Sequence, residues 1–238
     1  MPECAYQKLA PALDRFQEAH FWIHMMEEYY HQADPFRWHL NVALKALKET
    51  PYLVKHALQN EPGFVAWYKP LADQLGNDPL LRSLGKNRDA IVHQGDLALK
   101  SGGAVGITEG RGMKLGFSFP THPLEDSDAA MDRFLHFVAA EGDFFGFLSE
   151  DEDSLPCVQR EWRLPDFQEE IVDVCATAWL RIGETIDQVL RWLGTVPPPL
   201  SLDCRHSGQQ VQFKLYDRSR LNARVEELRA AQNANVSS

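Results

Sequence analysis

Cysteine is scarce in this sequence. There are four in 238 residues, Cys4, Cys157, Cys175 and Cys204, and no two stand at C-x-x-C spacing. That excludes the local signature of a zinc knuckle or a thioredoxin-like redox pair. No apolar run approaches the roughly 18 residues of a membrane span. The N-terminal residues also lack the charged-then-apolar layout of a signal peptide. Basic charge is in deficit, with 24 Lys and Arg against 34 Asp and Glu, a formal net charge of −10. Such a balance speaks against a general binder of nucleic acid or of anionic membranes. The glycine-rich stretch "GGAVG" has neither the lysine nor the strand-then-helix setting of a phosphate-binding loop. No G-x-S-x-G nucleophile elbow occurs. The expectation is a reduced, cytoplasmic protein with no membrane association and no cofactor.

The sequence is rich in helical period. It is 44% hydrophobic and 24% charged, the profile of a globular chain able to bury a core. Apolar and histidine positions step by three and four from about Ala5 to Gln32. Asp34 and Pro35 are a cap and first-turn pair for a second helix, which Pro51 should kink or restart. A third helix is expected over Phe64–Leu75. Pro79 opens a fourth, and Gly95 is its expected stop. Two β-like runs, Ala104–Thr108 and Lys114–Phe119, flank "EGRG", a hairpin turn. A helix is expected over Glu125–Leu148, and "SEDEDS" after it reads as a solvated loop. The clearest helix is Asp166–Leu193, with Asp166 as its cap and Glu169 completing the pair. After "PPP", "VQFKLYD" alternates like a strand and is a candidate third strand for the hairpin's sheet. A polar helix ends the chain.

These readings give a mainly α fold with a small inserted β-hairpin or sheet. Residues 1–100 form a helical core, 101–123 the β insertion, 124–194 further bundle helices, and 195–238 a strand and helix extension.

Two constellations carry candidate chemistry. His20, His24, Glu27 and His31 fall within an arc of about 60° on an ideal helix, and imidazoles with a carboxylate can begin a metal site. One helix seldom supplies a whole site, and Trp22, Met26 and Tyr29 lie opposite. The buried face is expected to change sides along this helix and leave the histidines on a flank, so no metal is assigned. The second constellation is "RDAIVH", Arg88 to His93. Arginine grips phosphate with a planar fork, and histidine exchanges protons near neutral pH. Together they supply the minimum for metal-free RNA cleavage, with His93 in proton transfer and Arg88 stabilising phosphoryl charge. Asp89 can orient either. The segment Arg82–Lys114 holds six basic residues against three acids, a local excess in an acidic chain. Positions five apart lie about 140° apart around a straight helix, so Arg88 and His93 do not share one face. Two copies facing across a dimer interface could bring them together, and side-chain length or a frayed helix end could also help. The alternative reading is an ion pair for Arg88 and a favourable helix-end cation for His93.

The Arg-x4-His segment, with a polar residue after the arginine, resembles the signature of the HEPN superfamily. The context "FRWHLNVALKAL", "GFVAWYKPLADQL" and "DPLLRSLGKNRDAIVHQG" is similar to its bacterial members. The resemblance covers Ala5–Gly95 and, more loosely, the later helices. It implies a HEPN-like helical bundle, a homodimer with paired motifs, and a metal-independent endoribonuclease of toxin or defence type. RNA is then the substrate, with an antitoxin or nucleotidyltransferase-like protein as partner. Asp89 stands where asparagine is common in the family. The alternative within the same resemblance is a catalytically silent module that binds a partner protein or a nucleotide.

Overall fold

The computed structural model describes residues 4–94, 99–110, 112–118, 121–143, 146–148, 154–195, 200, 202 and 208–236, with backbone alone at 91–94, 208–209 and 235–236. Among these residues the chain is mainly helical with one small antiparallel sheet. The elements are α1 (Ala5–Glu28), α2 (Ala33–Leu58), α3 (Phe64–Asn77), α4 (Pro79–Gln94), β1 (Lys100–Glu109), β2 (Gly112–Ser118), α5 (Ser127–Glu141), β3 (Pro156–Arg163), α6 (Ile171–Trp192), a 3-10 turn (Gly208–Gln212), β4 (Phe213–Leu215) and α7 (Arg218–Val236). No described helix is long and apolar enough to cross a membrane.

The chain divides into two compact units. The first comprises Met1–Glu28, Pro35–Ala98 and Leu164–His206, and the second Tyr29–Asp34, Leu99–Arg163 and Ser207–Ser238. The first unit is built from α1, α2, α3, α4 and α6. Its core runs along α1 at Leu9, Ala12, Phe16, Ala19, Ile23 and Met26, all buried. These steps of three and four hold one face throughout, so the expected change of side does not occur. Ala12 and Ala19 occupy the buried positions that a count of large side chains passes over, and Met26 lies inside. Opposite stands α6, buried at Val174, Ala178, Trp179, Ile182, Ile186 and Val189. The Phe16 and Trp179 rings stack at 4.6 Å. The Trp179 indole N–H donates to the Phe16 carbonyl at 3.0 Å.

Several helix ends differ from expectation. The α2 helix starts at Ala33 rather than at Pro35, and it does not restart at Pro51, which lies inside it. The cap of α6 is Glu170, whose carboxylate accepts from the Val172 N–H at 2.7 Å. Asp166 instead accepts from the Ser83 hydroxyl at 2.7 Å, so its carboxylate is engaged away from the helix end. The α5 helix ends at Gly142, where φ is 93°, well before Leu148.

The second unit is an antiparallel sheet in the order β2-β1-β3-β4, with α5 and α7. The predicted hairpin is present. Glu109 pairs with Gly112 across the turn, and Gly110 takes φ 58° there, a value that favours glycine. The late strand does join the sheet, as its fourth member, by pairing with β3. The β3 strand was not expected, because its alternation is hidden. Arg160 is fully buried on the same strand face as Val158 and Trp162, with its guanidinium 3.8 Å over the Trp162 ring. Burial lowers the Arg160 pKa to about 10. Val105 and Val158 of the sheet meet Met131, Phe134 and Val138 of α5 and Leu221 and Val225 of α7 in one core.

His31 ties this unit together. Its Nε2 faces the Val211 carbonyl at 3.0 Å, which can only accept, so Nε2 carries the proton. Nδ1 then accepts from the Ser127 hydroxyl at 2.8 Å. Burial lowers its pKa from 6.5 to about 4, with Lys214 and Arg160 adding to the shift and the Val211 bond and Asp128 opposing it. A histidine held neutral in the fold and protonated in the unfolded chain stabilises at pH above its unfolded value. That contribution declines as pH falls from about 6.5 towards about 4. The loss should reach roughly 3 kcal/mol. Urea titrations of wild type and His31→Gln across this range check it. A smaller acid loss in the variant is expected, and identical pH profiles would remove His31 as the cause.

Candidate functional site

The motif helix α4 is anchored at its start. The Asp78 carboxylate accepts from the Leu80 and Leu81 N–H groups at 2.9 and 3.1 Å, a side-chain cap just ahead of Pro79. Its second oxygen takes the Arg181 guanidinium of α6 at 2.5 Å. Ser83 reaches Asp166, and Leu84 is buried. These contacts fix the first half of α4.

On that second half, Arg88 and Asp89 form an ion pair at 3.1 Å. The other partner of Asp89 is Lys48 of α2, at 2.5 Å. The Lys48 and Arg88 hydrogen bonds hold the Asp89 carboxyl below its ordinary range. The Arg88 side chain is 24% exposed, and its enclosed Nε has no hydrogen-bond partner among the described residues. His93 lies on the same helix by its backbone, and its side chain lies outside the described residues. Arg88 and Asp89 are therefore brought together, with Lys48 as a third member, and the position of the His93 ring is not among the described features.

A cleft of about 500 Å³ opens beside this cluster. Leu44 and Leu47 of α2, Leu75 of α3, and Leu81 and Leu84 of α4 contribute apolar wall, with Lys48 and Asp89 at its edge. Sequence reasoning did not find Lys48 or the cleft. Lys48 is 41 residues from Asp89, and no local pattern marks a lysine on a helix as the partner of a distant acid.

The histidine stripe divides into two local networks. His20 and His24 approach through their Nε2 atoms at 3.1 Å, and His24 Nδ1 reaches Glu27 at 2.9 Å. The His20 ring stacks on Trp179 at 4.4 Å. Burial, then the neighbouring His24, lowers the His20 pKa. His31 is bonded to Ser127 and Val211 instead. Among the described residues no group of three or more His, Cys, Asp or Glu is arranged to hold a metal ion.

Residues 4–110 match the family model of bacteriophage lambda protein ea47. The matched stretch takes in α1 to α4, the motif and β1, and it is less than half of the 238 residues. No curated protein and no solved structure matches the chain.

Proposed function

We propose that this chain is a HEPN-like endoribonuclease that needs no metal, working as a homodimer with paired Arg-x4-His motifs. The observation that carries the reading is the state of Arg88. It is a partly exposed guanidinium on the second half of α4, held in place by its ion pair with Asp89. Basic residues Lys48, Arg82 and Lys86 lie close by around the cleft, which favours a polyanion locally in spite of the acidic total.

In this reading His93 takes the proton of an RNA 2′-hydroxyl as the 2′-oxygen bonds to phosphorus. The bond from phosphorus to the 5′-oxygen breaks, and the protonated His93 of the second copy supplies the proton to the leaving oxygen. Arg88 stabilises charge on the non-bridging oxygens through its fork. Asp89 keeps the guanidinium oriented. A toxin or defence setting, with an antitoxin or nucleotidyltransferase-like partner, follows from the same family resemblance.

Cleavage of RNA by the pure protein in EDTA is the test. Assembly offers a second one. Because positions five apart on a helix diverge, a closed twofold dimer is expected. Light scattering should report twice the 27.1 kDa chain mass, and a monomer at high micromolar concentration would count against paired motifs.

The second reading is the catalytically silent module that binds a partner protein or nucleotide. It is favoured by the ion pairs of Asp89, which already compensate part of the Arg88 charge. A folded dimer that cleaves no RNA would select it.

A further inference from the structure

We propose that the cleft between α2, α3 and α4 binds a single-chain alkyl anion, with the chain along its apolar walls and the charged head at the basic rim. The inference goes beyond the nuclease reading and stands whether or not RNA is cleaved.

Three observations lead to it. The first is the contrast between wall and rim. At about 500 Å³ the cleft has the size of a small-molecule site, and five leucines contribute to its walls. Its edge carries Lys48, Lys55, Arg82 and Lys86 against the single acid Asp89. Asp89 is bonded to Lys48 and Arg88, whereas Lys55, Arg82 and Lys86 form no ion pair with any described residue. A ligand head placed here meets unneutralised cations, so it should be anionic.

The second observation is that the inner lining offers no free polar side chain among the described residues, since Tyr52, with no hydrogen bond to its hydroxyl, is 67% exposed at the mouth. Tyr68 lines the cleft, but its hydroxyl already donates to the Pro51 carbonyl at 3.3 Å, and burial pushes its pKa up to about 12. A heterocycle with hydrogen-bonding edges would bury them unsatisfied against leucine, which is costly. An alkyl chain has no such edges and gains by leaving water.

The third observation is Gly85. It lies inside α4, where glycine weakens a helix relative to alanine. A Cβ built there, or on Gly76 of α3, meets no atom within 4 Å. Neither glycine has a positive φ. Backbone conformation and close neighbours therefore do not account for Gly85, and its effect is to leave room along the α4 wall.

Isothermal calorimetry on the full chain tests the proposal with dodecanoate and dodecyl phosphate, and with dodecyltrimethylammonium as a cation of equal chain length. Both anions should saturate one site per chain, and the cation should bind at least roughly tenfold more weakly. Tighter dodecanoate assigns a fatty carboxylate as the ligand, and tighter dodecyl phosphate assigns a phospholipid-derived one. Gly85→Leu fills open space, so it should keep the thermal midpoint of wild type while weakening either anion by roughly tenfold or more. If that variant fails to fold, the double variant Lys55→Glu with Lys86→Glu, at two exposed positions, tests the same site and should also weaken binding roughly tenfold. The proposal is overturned by an absence of saturable binding of either anion, by equal affinity for the cation, or by wild-type affinity in folded Gly85→Leu or in the lysine double variant.

Discussion

Trp179→Ala should remove about 3–5 kcal/mol from the helical unit, the range for deleting a large buried aromatic. Trp179 is 1% exposed. Its ring stacks on Phe16 at 4.6 Å on one contact and on His20 at 4.4 Å on another. Its N–H donates to the Phe16 carbonyl. Alanine removes the packing and the hydrogen bond together, and Phe16 and His20 cannot both close over the space from one helix. Since a domain's net stability is about 5–15 kcal/mol, the variant should unfold at markedly lower urea. Trp179→Phe keeps an aromatic plate but not the donor, and should lose less than half as much. Far-UV circular dichroism in urea measures both. A loss below about 1 kcal/mol for the alanine variant would mean that α1 and α6 are held chiefly by other contacts.

The legible parts of the fold were those in which one period dominates. On α6, Val174, Ala178, Ile182, Ile186 and Val189 repeat by three and four without interruption, and all are buried. The hairpin turn was written locally as "EGRG", and the positive φ of Gly110 is what that glycine supplies. The β3 strand was hidden because Arg160 and Gln159 break the apolar alternation. Only the tertiary structure reveals that Arg160 is buried over Trp162, with its Nε donating to the Ser101 hydroxyl and an Nη to the His122 carbonyl. On α1 the large side chains misled, since the buried line passes through Ala12 and Ala19 while the histidines flank it. Helix ends shifted for a similar reason. Asp166 has the chemistry of a cap, yet its carboxylate is taken by Ser83, 83 residues away.

At the candidate site the surroundings of the motif were not legible. "RDAIVH" offered Arg88, Asp89 and His93 through residue chemistry and a family resemblance, and of these Arg88 and Asp89 are paired in the fold. The contribution of Lys48 depends on α2 and α4 coming together. The cleft depends on leucines from three helices, each of which looks like ordinary core in its own segment.

On the proposed ribonuclease reading, substitution of the motif should have the largest effect on activity. His93→Ala removes the proton carrier, and general acid–base catalysis contributes roughly 10²–10⁴-fold, so RNA cleavage should fall by at least that span. Arg88→Ala should fall comparably, because phosphoryl charge in the transition state loses its donor. It leaves Asp89 paired with Lys48, so the fold should persist. Arg88→Lys restores the charge without the fork and should recover part of the rate. Such grading separates phosphate stabilisation from a structural ion pair, for which lysine would serve nearly as well as arginine. The most direct measurement is cleavage of one RNA in EDTA by wild type and by His93→Ala, prepared side by side and both shown to be folded. Wild type should cleave the RNA, and the variant should lose roughly 10²-fold or more of that rate. Equal cleavage by the two proteins, or none by folded wild type, would contradict the ribonuclease reading.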